Sequence, residues 1–252
     1  MANWELKSCC DKDQKIFLAT IGVFSVAILL LWRTGLLTPF KLITVFLHES
    51  SHAIACKLTC GQVEGMQVHA NEGGVTITRG GAYWLILPAG YLGSSFWGMV
   101  LILASTNLTT SRIAAACLAL ALFIVLFIAK NWTLRWLCIG FIVFLGVIWL
   151  LQETTTVKIL RYVILFIGVM NSLFSVYGNL WGDNCGYCWV KMWVFADIYD
   201  DLISRRVNSS DAEKFAELCP CPCTGVGWGV IWGMISFAFL CGSIYLGLVI
   251  LS

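Results

Sequence analysis

The chain has 252 residues, of which 59% are hydrophobic and 12% charged, with a mean hydropathy of +0.84. Soluble globular domains carry about 25% charged residues, so this composition excludes them and the length is better counted in membrane spans. A net charge of +2, with no basic cluster interleaved with aromatics, also excludes nucleic acid as a partner.

Taken in order, Ile16 to Trp32 is the first apolar run, and no small-residue processing site follows it, which predicts an uncleaved transmembrane helix. Phe40 to Cys56 is the second. It carries His48-Glu49-Ser50-Ser51-His52 near its middle, so the site is expected at mid-membrane. Histidines at i and i+4 lie on one helix face about one turn apart, where both imidazoles can hold one Zn²⁺. At this spacing Glu49 is placed as a general base toward the attacking water. Ionisable groups in a membrane helix cost roughly 2.5 to 3.5 kcal/mol each at its centre, so such a cluster is seldom idle.

Gly61 to Gly81 breaks the helical pattern. Alternation in Met66/Val68 and Val75/Ile77 around Asn71-Glu72-Gly73-Gly74 predicts a β-hairpin whose glycine pair supplies positive φ in the turn. Following the motif helix directly, it should stand at the mouth of the site, where an edge strand can bind an extended peptide. Ala82 to Ala104, Ile113 to Ala129, Leu134 to Leu151 and Val157 to Tyr177 are each long enough to cross about 30 Å of hydrocarbon, and Val226 to Ile250 makes a last span. The expected fold is an all-α polytopic membrane protein: one integral membrane domain over 1–252, with six or seven transmembrane helices and a small hairpin at 61–81.

With seven spans, 11 of the 16 basic residues fall on the side of the N-terminus. The positive-inside rule then places the N-terminus, the hairpin and the segment 178–225 in the cytosol, with only the sequon at Asn107 of the three (Asn107, Asn131, Asn208) facing a lumen. The 178–225 segment is acidic and contains Cys185, Cys188, Cys219, Cys221 and Cys223. A single Cys-x-x-Cys pair is a weak zinc-ribbon signal, and free or acylated membrane-proximal thiols fit these residues better.

A catalytic zinc takes three protein ligands and leaves a position for water. His69 sits in the hairpin as a surface residue, so the third ligand is expected among the acids that follow. Asp197 and Asp201 are spaced i, i+4 and project together from a helix; Asp197 is favoured and Asp201 next. Both also fit a solvated face paired with Arg205 and Arg206, and Asp211, after Ser209-Ser210, reads equally as a helix N-cap.

Phe46-Leu-His48-Glu49-Ser-Ser-His52-Ala53, the glycine-rich hairpin, Leu87-Pro88-Ala89-Gly90-Tyr91-Leu92-Gly93 and Ser209-Ser210-Asp211-Ala212 together resemble the site-2-protease class of intramembrane zinc metallopeptidases, and more closely its peptidase M50B-like branch. The Leu-Asp-Gly element that supplies the third ligand in site-2 proteases is absent here. The resemblance implies zinc held by His48, His52 and an Asp, Glu49 as base, and membrane-protein substrates in the lipid bilayer. The competing expectation is a non-proteolytic metal-binding scaffold or transporter that keeps the motif.

Overall fold

The computed structural model describes residues 11–32, 34–69, 73–155, 158–180, 211–220 and 223–252, without the side chains of 176–180 and 226. The elements are α1 (Lys12–Leu31), α2 (Thr38–Leu58), β1 (Gln62–Val68), β2 (Gly74–Arg79), α3 (Tyr83–Ala104), α4 (Leu108–Ile128), α5 (Trp132–Thr154), α6 (Ile159–Leu180), α7 (Asp211–Leu218) and α8 (Gly225–Ile250), with a short 3₁₀ turn at Gly35–Leu37. The protein is an all-α polytopic membrane protein with one small antiparallel hairpin, as its hydropathy predicts.

Helices α1, α3, α4, α5 and α8 are each long and apolar enough to cross a bilayer. Helix α2 breaks that pattern with Lys41, His48, Glu49 and His52, all buried inside the bundle. Outward positions stay apolar, as Leu30, Phe127 and Trp136 do, and this is the surface a lipid environment requires. Asn107 and Asn131 cap α4 and α5 through their side-chain oxygens, so these helices start where a polar side chain replaces the missing backbone partner.

Pairwise contacts fix the directions of α1, α2, α3, α6 and α8. Arg161, at the start of α6, donates from Nε to Ser105 O (2.8 Å) and from Nη2 to Thr106 O (2.7 Å) at the end of α3. Further along, Asn171 Nδ2 donates to Ser94 O at 2.6 Å, so α3 and α6 are antiparallel. Tyr91 meets Trp232, Ser95 meets Ser236 and Phe96 meets Phe239, so α8 runs with α3. Phe24 packs on Phe166 and Trp32 on Phe174, so α1 runs with α6.

Helix α2 also runs with α6, from Phe40 against Phe166 to His52 beside Ile86 near the start of α3. Two expectations are corrected by this. First, α1 and α2 do not alternate across the membrane: α1 begins beside the end of α8, where Gln14 Nε2 donates to Leu248 O at 2.9 Å, whereas the hairpin and the motif lie at the other end of the bundle. The N-terminal end of α1 and the hairpin are therefore on opposite sides. Lys12 and Lys15 leave the hairpin side, and the basic asymmetry computed for strict alternation no longer holds. Second, His52 lies level with the first turn of α3 and His48 beside Gly90 and Tyr91, so the motif sits toward the hairpin end of the bundle.

In the hairpin, Gln62 pairs with Arg79, Met66 with Thr76 and Val68 with Gly74, with a bulge between Val63 and Gly65. Gly74, one of the two glycines expected to supply positive φ in the turn, does not take it. Among the described residues positive φ belongs to Gly80 (72°) and Gly81 (85°), where β2 turns into α3, and to Cys60 (61°) at the exit of α2. The outer edge of β1 is closed by the α4–α5 connection: Lys130 N donates to Met66 O at 3.0 Å, and the Asn131 amide donates to Val68 O at 2.5 Å and accepts from Val68 N at 3.4 Å. Among the described residues β2 pairs only with β1.

Candidate metal centre

His48 and His52 lie one helical turn apart on α2, and both are buried. Their Nε2 atoms stand 3.1 Å apart, and each is 3.1 Å from Oδ2 of Asp211, the first residue of α7. Three ligand atoms thus form a triangle of equal edges. Ligands about 2.0 Å from a tetrahedral ion are separated by roughly 3.3 Å, close to these edges.

Protonation supports the same reading. His52 Nδ1 lies 2.6 Å from Ile86 O and donates to it, which leaves the Nε2 lone pair facing the triangle. Two imidazole nitrogens and a carboxylate oxygen brought this close without a cation repel one another. The donor set and its spacing therefore fit a small divalent ion.

The backbone makes room for this cluster. A Cβ at Gly90 of α3 would collide with His52 Nε2 and with the His48 ring, so only glycine lets α3 approach so near. Tyr91, the next residue, packs edge-on against His48 at 4.6 Å between ring centroids. Tyr91 in turn meets Trp232 of α8 at 6.2 Å, and Trp232 meets Phe215 of α7 at 5.4 Å. Phe215 also packs on Trp228 at 4.7 Å. This aromatic path seats the amphipathic α7 with its first residue over the histidines.

Glu49 follows His48 and is 6% exposed. Strand β2 holds it: the Thr76 hydroxyl is 2.6 Å from Glu49 Oε2 and 3.0 Å from Glu49 O, and a Cβ at Gly74 would collide with the carboxylate.

Among the residues expected from sequence, the structure brings His48, His52 and Glu49 into one cluster. Asp197 and Asp201 lie outside the described residues, as do Cys185 and Cys188. The acid found between the histidines is Asp211, which the sequence left equally open to a helix N-cap role and placed behind Asp197 and Asp201. Its sequence signal is the Ser209-Ser210-Asp211-Ala212 block. Thr76 carries no sequence signal of its own, and Gly74 is expected only as a turn residue, although period-2 spacing puts both on one strand face.

A family model described as Peptidase M50B-like matches residues 21–243 of the chain. No curated protein and no solved structure matches it.

Proposed function

From the premise that this chain belongs to the Peptidase M50B-like family, we propose that it is a zinc metalloendopeptidase that hydrolyses peptide bonds in or near transmembrane segments of membrane proteins. The observation that carries this reading is the 3.1 Å triangle of His48, His52 and Asp211 beside a buried glutamate. These three side chains would hold the zinc. When bound there, zinc supplies Lewis acidity to the scissile carbonyl and to the attacking water.

The remaining steps fall to the chain's own residues. Glu49 accepts the proton of the water as it attacks and then delivers it to the leaving amine. A substrate helix hides its carbonyls in its own hydrogen bonds and must unwind before attack. The β2 edge beside Glu49 offers main-chain pairing to the opened strand, while the Asn131 amide closes the β1 edge against the same use. The site's position near one end of the bundle shortens the route for water.

The chain works as one membrane domain, with the hairpin and α7 as parts of the site. We place the site end in the cytosol, which puts the start of α1 and the sequon at Asn107 on the opposite side. A glycan found at Asn107 supports that orientation. Its absence, with a glycan accepted by a sequon engineered into the hairpin, reverses it.

The test of function is cleavage of transmembrane substrates by purified protein in liposomes, with zinc measured in parallel. Zinc-dependent cleavage lost in Glu49→Gln, with zinc retained, is the expected result. Zinc bound without any cleavage by the wild type would instead favour the scaffold.

A further inference from the structure

Resting on the reading of Glu49 as the base, we propose that Thr76 is its positioning residue and that the hairpin, through Thr76, sets the orientation of the Glu49 carboxylate. Alternation along β2 points Gly74 and Thr76 to one face, while Val75 and Ile77 on the other face are exposed. The Thr76 hydroxyl has one proton and two acceptors in reach. Glu49 Oε2, at 2.6 Å, is both nearer and charged, so it takes the proton in preference to Glu49 O at 3.0 Å.

Gly74 limits the same carboxylate from the other side, because a Cβ there would strike Oε1, Cγ and Cδ of Glu49. Among the described residues no Lys or Arg lies within ion-pair distance of Glu49. The base is thus held by a neutral hydroxyl on one oxygen, and its other oxygen is left to work. An arginine would hold it harder and neutralise it; a hydroxyl orients it and leaves its charge. The hairpin is in this reading part of the proton-transfer apparatus as well as a rim for substrate.

Thr76→Val keeps the β-branched shape and the strand preference while removing the hydroxyl. Misplacing a reacting group by about 1 Å costs on the order of 100-fold. The expected result is a fall in kcat of roughly 10- to 100-fold with KM and zinc content unchanged, and recovery of most of the rate in Thr76→Ser. In a Glu49→Asp background, whose shorter carboxylate falls short of the hydroxyl, Thr76→Val should cause no further loss. A readout apart from activity uses metal-free protein: the infrared carboxylate band that disappears in Glu49→Gln should shift in Thr76→Val and stay in place in Thr76→Ser.

The outcomes separate the two readings. A wild type that cleaves nothing sinks the peptidase reading and this inference with it. Cleavage that requires Glu49 but is untouched by Thr76→Val, with the infrared band unmoved, overturns the inference alone. So does a Thr76→Val variant that loses zinc or raises KM at constant kcat, since that marks a merely structural hairpin contact.

Discussion

The two ends of the helix bundle handle buried polar groups in opposite ways. At the far end several polar groups find partners within the chain: Arg161 closes the last carbonyls of α3, Gln14 reaches Leu248 O on α8, and Gln152 Oε1 accepts from Leu160 N, although Gln152 Nε2 is buried with no partner among the described residues. Arg112 and Glu153 form an ion pair there as well. At the site end, two histidines and an aspartate converge on one point that no side chain fills, and His48 Nδ1 is buried with no partner among the described residues. The far end is held mainly by pairs made within the chain. The site end instead gathers three metal-ligating atoms at one point, an arrangement that is costly to bury without use.

The comparison breaks most directly at the metal ligands. His48→Ala, His52→Ala or Asp211→Asn should each lower zinc affinity by more than the roughly 10- to 100-fold caused by changes in residues that only support ligands, as read by metal analysis of purified protein. Asp211→Asn should exceed Asp197→Asn in this effect; the reverse order would return the third ligand to Asp197. Next in size, Glu49→Gln should reduce cleavage by about 10²- to 10⁴-fold with zinc still bound.

Changes at the far end should touch stability alone. Arg161→Met removes two hydrogen bonds from a charged donor and should cost about 1.5 to 3 kcal/mol, seen as a lower melting temperature in detergent with zinc content unchanged. Smallest of all, Gln14→Leu should cost about 0.6 kcal/mol, the typical value of one interhelical hydrogen bond in a membrane protein. Loss of zinc in either variant would show that the two ends are not independent.

Most of the fold was legible because hydropathy marks long membrane helices by composition alone, and because the Gly-rich alternation at 61–81 fits nothing but a hairpin. The clustering of the histidine pair was legible for a different reason: both lie on one helix, so spacing alone brings them together. Asp211 could not be chosen that way. Its place depends on Phe215 docking against Trp228 and Trp232, a contact between α7 and α8 that no local pattern encodes. The role of Gly74 was misassigned for a related cause, since sequence shows that a glycine is needed but not whether a turn or a neighbouring carboxylate needs it.

Direction was the least legible property. A hydropathy profile counts apolar runs and assumes that each reverses the last, whereas α1 and α2 run the same way and together make one passage. With α3, α4, α5, α6 and α8, the described chain makes six passages, an even number. Asp11 and Ser252 therefore open onto the same compartment, and reporters placed beside either one would agree with each other while reading the side opposite to the metal site.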